Sequence, residues 1–121
     1  MDNFKTVNDT LGHVTGDKCL LNLTEFFMKN KRRADLFGRF GGDEFIMVMP
    51  NLSASEAIKA MEFHRKSIEE KSNPHFTVTS GIATYPYDGS TFDELIASAD
   101  HALYMAKDAG KNKVYYTGNY K

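Results

Sequence analysis

Apolar residues recur at three- and four-residue spacing in some stretches of the chain and alternate or run together in others, and these two periods separate helices from strands. A short helix is expected over residues 3–11, with Asp2 as its N-cap and Gly12 as its breaker. From Gly16 to Asn30, Leu20, Leu23 and Phe27 form a stripe that Cys19, Phe26 and Met28 widen, which predicts a helix burying one broad face. A third helix opens at Ser53-Ala54-Ser55-Glu56, where Ser53 and Glu56 have capping-box spacing, and turns Ala57, Ile58, Met61 and Ile68 inward. The clearest helix runs from Phe92 to Asp108. Phe92, Leu95, Ile96, Ala99, Ala102, Leu103 and Ala106 share its stripe, and Gly110 stands just beyond as a C′ residue. Leu36 to Phe40 and Phe45 to Met49 read as two strands joined by a Gly41-Gly42 hairpin turn, since glycine takes positive φ without a Cβ clash. Asp43 and Glu44 then open the outgoing strand and point to opposite faces. After the Ser72-Asn73-Pro74 turn, the alternation from Phe76 to Ile82 predicts another strand, Asp88-Gly89 a turn, and Val114-Tyr115-Tyr116 a short last strand.

Composition narrows the class. With 121 residues, 41% hydrophobic and 26% charged, the chain reads as one ordinary domain over residues 1–121. A formal net charge of −1 argues against a nucleic-acid binder, so any nucleotide recognition must come from a few placed cations. The single cysteine, Cys19, cannot form an internal disulfide; among leucines it reads as a packing thiol, compatible with a reducing, cytoplasmic setting. No apolar run approaches the length of a membrane span, and nothing reads as a signal peptide.

Two carboxylates after a glycine pair, over a buried strand, form a candidate site for a hard cation and phosphate chemistry. The plain alternative is a solvated hairpin corner. With Gly41-Gly42-Asp43-Glu44-Phe45 at this turn, Asp2-Asn3-Phe4-Lys5 ahead of it and Gly110-Lys111-Asn112 after it, the chain resembles the GGDEF family, the diguanylate cyclase domains of bacterial signalling. Gly41-Gly42-Asp43-Glu44-Phe45 is that family's signature letter for letter. Upstream stand Asp2-Asn3-Phe4-Lys5 and the stretch Asn8-Asp9-Thr10-Leu11-Gly12-His13-Val14-Thr15-Gly16-Asp17; downstream stand Ala102-Leu103-Tyr104-Met105-Ala106-Lys107 and Gly110-Lys111-Asn112. The resemblance implies an α+β fold, the ferredoxin-like βαββαβ palm of nucleotidyl cyclases, an antiparallel sheet with helices. In the family a first strand ending in Asp-x-Asp precedes the Phe-Lys pair, and Asp2 aligns with the second acid. The first strand and its metal-binding Asp are expected upstream of Met1. With that strand restored, the element order read from the residues gives the same βαββαβ plan plus an extra element.

The resemblance also implies a site. Asn8 and Asp17 fall at the positions that read guanine, whose N1–H and exocyclic amine suit a carboxylate, whereas adenine N1 would oppose it. On the residues alone, Asn8 reads rather as a turn residue and Asp17 as a helix N-cap. His13 lines this pocket or orders its loop. The backbone N–H groups of Asn3 and Phe4, with Lys5, would meet the triphosphate. Lys107 and Lys111 match the family's phosphate-binding pair, although Lys111 stands where arginine is common and lacks its bidentate fork. Gly41 and Gly42 are counted among the substrate-binding residues. Two Mg²⁺ (or Mn²⁺) ions would be held by Asp43, the missing Asp and the backbone carbonyl of Met1, while Glu44 would orient or deprotonate the attacking hydroxyl. Arg32 and Asp35 match the family's Arg-x-x-Asp inhibitory site for cyclic di-GMP, set six residues ahead of Gly41. Their ordinary reading is a helix-end arginine and a turn aspartate.

The expected activity is condensation of two GTP into cyclic di-GMP with release of pyrophosphate across a homodimer, the chain as given being inactive without its first strand. A sensory or receiver domain, and even a membrane anchor, would belong to the full-length protein. The alternative is a non-catalytic module that binds GTP or cyclic di-GMP. An adenylate-type cyclase or polymerase palm is disfavoured by Asp17.

Overall fold

The computed structural model describes residues 1–118, which form two compact units. The first is Met1–Pro50 with Ser67–Thr77; the second is Asn51–Lys66 with the chain from Val78 on. In order the elements are α1 (Phe4–Leu11), α2 (His13–Asn30), β1 (Leu36–Gly41), β2 (Glu44–Val48), α3 (Ala54–Lys71), β3 (Ser80–Ile82), α4 (Phe92–Asp108) and β4 (Val114–Tyr116).

In the first unit α1 packs on α2, and β1 pairs antiparallel with β2. The predicted stripe of α2 is its buried face, with Cys19, Leu20, Leu23 and Phe27 all in the core; Met28, expected to widen it, is exposed. An aromatic column joins this helix to the hairpin. Phe26 meets Phe27 edge-on at 5.5 Å, Phe27 stacks on Phe37 at 5.0 Å, and Phe37 stacks on Phe45 at 5.3 Å. Phe37 and Phe45 are diagonal cross-strand neighbours on one face, a spacing that aromatic rings bridge. Such ring pairs contribute about 0.5–1.5 kcal/mol each beyond area burial, so the column fixes the face that the hairpin presents to α2.

Two helix starts differ from the sequence reading. Asp2 is not the cap of α1: the N-cap is Asn3, left-handed at φ 58°, with no side-chain cap bond. Asp2 is instead buried, its carboxylate accepting from the Thr77 hydroxyl at 2.8 Å and its N–H donating to Thr77 O at 2.9 Å. α2 begins at His13 rather than Gly16, because Gly12 at φ 91° ends α1 and starts α2 with no linker. Asp17 therefore lies inside α2 and does not cap it.

In the second unit β3 pairs parallel with β4, and α4, which connects them, packs on both. Gly81 explains how closely: a Cβ there would lie 2.1 Å from Ala99 O and 2.4 Å from Leu103 N, so only glycine lets β3 ride on the α4 backbone. Ala102 and Ala106 are fully buried, whereas Phe92, expected on the same stripe, is exposed. Thr91 caps α4, accepting from Glu94 N–H at 3.2 Å. The capping box of α3 is present as expected, with Ser53 N–H on Glu56 Oε1 at 3.0 Å and Glu56 N–H on Ser53 Oγ at 3.2 Å. Regular strand over the expected 76–82 run is confined to Ser80–Ile82. Ser80 marks its start, donating its N–H to Lys113 O at 2.9 Å beside β4.

Candidate functional site

The hairpin turn is displaced by one residue from its predicted place. Gly41 pairs with Glu44, so the two-residue loop is Gly42-Asp43, and a bulge between Arg39 and Gly41 absorbs the extra residue. Of the two glycines only Gly42 has positive φ, 52°. Asp43 thus sits at the tip, half-buried, and Glu44 alone opens β2, exposed. The guanidinium of Arg39 clasps the carbonyl of Gly42, with Nε at 2.8 Å and Nη2 at 2.5 Å. That carbonyl belongs to the central peptide of the turn, so the clasp fixes which way the Gly42–Asp43 peptide faces. Sequence reasoning passed over Arg39, since nothing in its spacing marks a carbonyl three residues on.

Met1 and Asp2 complete this corner. The Met1 nitrogen donates to Asp43 O at 3.0 Å, while the next residue, Asp2, bonds Thr77 on the other side. Alternating partners are what a residue pair lying between two strands would have. The Met1 main chain and the Asp43 tip are therefore neighbours. The groups that this corner could offer a cation, the Asp43 carboxylate and the Met1 carbonyl, are oxygens, the ligand type that Mg²⁺ or Mn²⁺ prefers. Among the described residues no three His, Cys, Asp or Glu side chains gather into a metal cage. Such a corner fits Mg²⁺, which commonly takes one or two carboxylates and completes its shell with substrate phosphate and water.

Around α1 and α2 stand the residues expected to read the base. Gly16 lets the helices touch: a Cβ there would fall 1.8 Å from Asn8 Oδ1. That amide oxygen is buried and has no hydrogen-bond partner among the described residues. His13 and Asp17 are exposed, one turn apart on α2, and so share a helix face. Phe4 and Lys5 occupy the first turn of α1, where helix geometry gives N–H groups no intrahelical acceptor, and Asn3 sits at its cap. Lys107 and Lys111 belong to the second unit, at the end of α4 and just past it.

Arg32 and Asp35 are already joined. Asp35 Oδ2 accepts from Arg32 N–H at 2.9 Å, Oδ1 accepts from Nε at 2.9 Å and lies 2.7 Å from Nη2, and Nη2 also donates to Pro50 O at 2.6 Å. Burial of Asp35 would by itself raise its carboxyl, but the side-chain and backbone hydrogen bonds and the charge of Arg32, with Lys31, outweigh it and hold the group below the usual aspartate range. Arg32 keeps 43% of its side chain exposed against 3% for Asp35, so Arg32 is the member of the pair open to solvent. Cys19 is a buried core residue of α2. Burial pushes its thiol up against a smaller lowering from Lys18, the state of an inert packing cysteine. The second unit also holds a cavity of about 190 Å³ lined by Ser53, Thr84, Tyr85, Tyr87 and Tyr116 among others, and none of the expected site residues lines it.

The family model for the GGDEF domain of diguanylate cyclases matches residues 1–113. Diguanylate cyclase A of Treponema denticola is 38% identical over 98% of this chain, and the bifunctional diguanylate cyclase/cyclic di-GMP phosphodiesterase MucR of Pseudomonas aeruginosa is 38% identical over 93%. The chain spans 34% of the first and 17% of the second. Among solved structures, the GGDEF domain of Pseudomonas aeruginosa YfiN (TpbB) superposes with a TM-score of 0.85 at 32% identity, covering 99% of this chain and 78% of that one. The GGDEF domain of Caulobacter crescentus DgcB, in complex with cyclic di-GMP, gives 0.84 at 30% identity, covering 95% and 72%. Signature, match and superposition agree: this chain belongs to the GGDEF family of diguanylate cyclase domains, with that family's α+β palm fold.

Proposed function

We propose that this chain is the catalytic domain of a diguanylate cyclase, joining two GTP molecules into cyclic di-GMP. The observation that carries the reading is the Asp43 tip, held beside the Met1 main chain by the 3.0 Å contact and aimed by the Arg39 clasp. Each bond-forming step places the 3′-oxygen of one GTP on the α-phosphorus of the other, and the Pα–O bond to pyrophosphate breaks. The hydroxyl proton leaves toward Glu44, exposed at the start of β2, directly or through water. Mg²⁺ or Mn²⁺, held by Asp43 and the Met1 carbonyl, would stabilise the charge on the attacking and leaving oxygens; two ions per site is the expected count. Asn8 supplies its buried amide oxygen to the guanine amine, and Asp17, with His13 one turn before it, accepts from the base edge. Asn3, Phe4 and Lys5 at the start of α1 are read as phosphate-binding residues, and so are Lys107 and Lys111 at the end of α4. One domain carries one nucleotide, so catalysis requires a homodimer. Arg32 and Asp35 form the product-sensing site, the exposed guanidinium edge meeting cyclic di-GMP first.

The test is turnover of GTP by the full-length protein. Asp43→Asn should lower Mg²⁺-dependent cyclic di-GMP formation by at least about 100-fold, the scale of losing a charge that acts on the transition state, with an unchanged melting temperature. Wild-type-like turnover in this variant would sink the assignment of Asp43. A parent that binds cyclic di-GMP but never turns over GTP would favour the regulatory-module reading instead.

A further inference from the structure

The end of α4 is built in an unusual way. Lys111 N–H bonds Ala106 O at 3.1 Å and Gly110 N–H bonds Lys107 O at 3.2 Å, the paired contacts of a Schellman cap, with Gly110 at φ 119°. Such a cap needs one residue of positive φ, and Gly110 supplies it. Yet Lys111 at φ 64° and Asn112 at φ 50° follow it in the left-handed region, making three such residues in a row. A non-glycine residue is disfavoured there because its Cβ crowds the following carbonyl oxygen, so something must hold the turn.

What holds it is a strut from α3. Arg65 Nη1 donates to Asn112 Oδ1 at 2.9 Å, and Asn112 N–H donates to Thr79 Oγ1 at 2.9 Å. Arg65 is itself aimed by Glu62, which accepts from its Nε at 2.5 Å and pairs with Nη2. The Arg65 side chain is only 14% exposed, so the strut is largely shielded from water. Asparagine tolerates the left-handed region; lysine has no such tolerance. Lys111 is thus gripped on both flanks, by the Schellman cap before it and by Asn112 after it, in a conformation that a free chain would leave. Strain of this kind, kept by over-determined surroundings, marks functional positions. We propose that Arg65 is a positioning residue for Lys111: through Asn112 it holds the left-handed turn that presents the Lys111 ammonium to the substrate's phosphates. The inference rests on the reading of Lys111 as a phosphate-binding residue.

The experiment is equilibrium binding of guanosine 5′-(α,β-methylene)triphosphate with Mg²⁺ to the full-length protein, alongside thermal melts. Arg65→Met should weaken binding about tenfold, the equivalent of about 1.4 kcal/mol. Asn112→Gly, which keeps positive φ accessible but removes the acceptor, should weaken it to the same degree, and the double variant no further. Lys111→Ala should cost affinity in the parent and nothing more in the Arg65→Met background. Parent-like affinity in Asn112→Gly overturns the proposal, as does a Lys111→Ala loss of equal size in both backgrounds. A lowered melting temperature with unchanged affinity overturns it too, leaving Arg65 a stabilising residue only. Because binding is read without turnover, these couplings in a protein that makes no cyclic di-GMP would uphold the positioning role while the cyclase reading failed; an active cyclase lacking them would do the reverse.

Discussion

Two turns of this molecule solve the same steric problem in opposite ways. At the tip of the hairpin, the residue that needs positive φ is a glycine, Gly42, and the functional candidate beside it, Asp43, keeps an ordinary conformation. After α4 the glycine does only the capping, and the functional candidate Lys111 itself takes the left-handed conformation, with Asn112. The hairpin requires one clasp, from Arg39 to Gly42 O, which orients a single peptide. The α4 turn requires a relay through Glu62, Arg65, Asn112 and Thr79. A glycine-built turn is held by few contacts and depends on its glycine; a turn built on strained side chains depends on its neighbours.

The comparison breaks first at Gly42. Gly42→Val should destabilise the protein by about 1–3 kcal/mol, since a β-branched residue resists positive φ, whereas Gly41→Ala, with no positive φ and nothing within 4 Å of a new Cβ, should shift stability by less than about 0.5 kcal/mol. Urea unfolding of the two variants measures the contrast; equal losses would mean that both glycines carry the turn. At the second turn the sign reverses. Lys111→Gly relieves strain, so the folded protein should gain up to about 1 kcal/mol, reduced by the extra freedom glycine gives the unfolded chain. The same change should weaken binding of the GTP analogue. A loss of stability in that melt would show that the turn is not strained at Lys111.

The smallest effect concerns a pair that depends on neither strategy. Asp35 is held below the usual aspartate range by Arg32, so its contribution is complete above the unfolded value of 3.8 and is lost as pH falls through the lowered folded value. The melting-temperature advantage of the parent over Asp35→Asn should be flat from pH 7 to about pH 5 and shrink only below about pH 4. An advantage that declines between pH 7 and 5 would point to another group.

What the sequence determined by itself was whatever local spacing encodes. The four helices, the hairpin, the capping box of Ser53 and Glu56 and the buried stripe of α2 all follow from periods of 3.6 and 2 and from cap chemistry. The Gly41–Phe45 signature, with its flanking motifs, named the family. What only the tertiary structure decided were choices settled by partners far along the chain. Asp2 left the helix cap because Thr77, remote in sequence, offers both a hydroxyl and a carbonyl. The turn moved from Gly41-Gly42 to Gly42-Asp43 because a bulge in β1 changed the register, and a bulge has no local signature here. Strand 76–82 shrank to Ser80–Ile82, the residues that meet β4. Arg39 and Arg65 were invisible as positioning groups, since an arginine's reach is long and its acceptor is chosen only once the chain has folded around it.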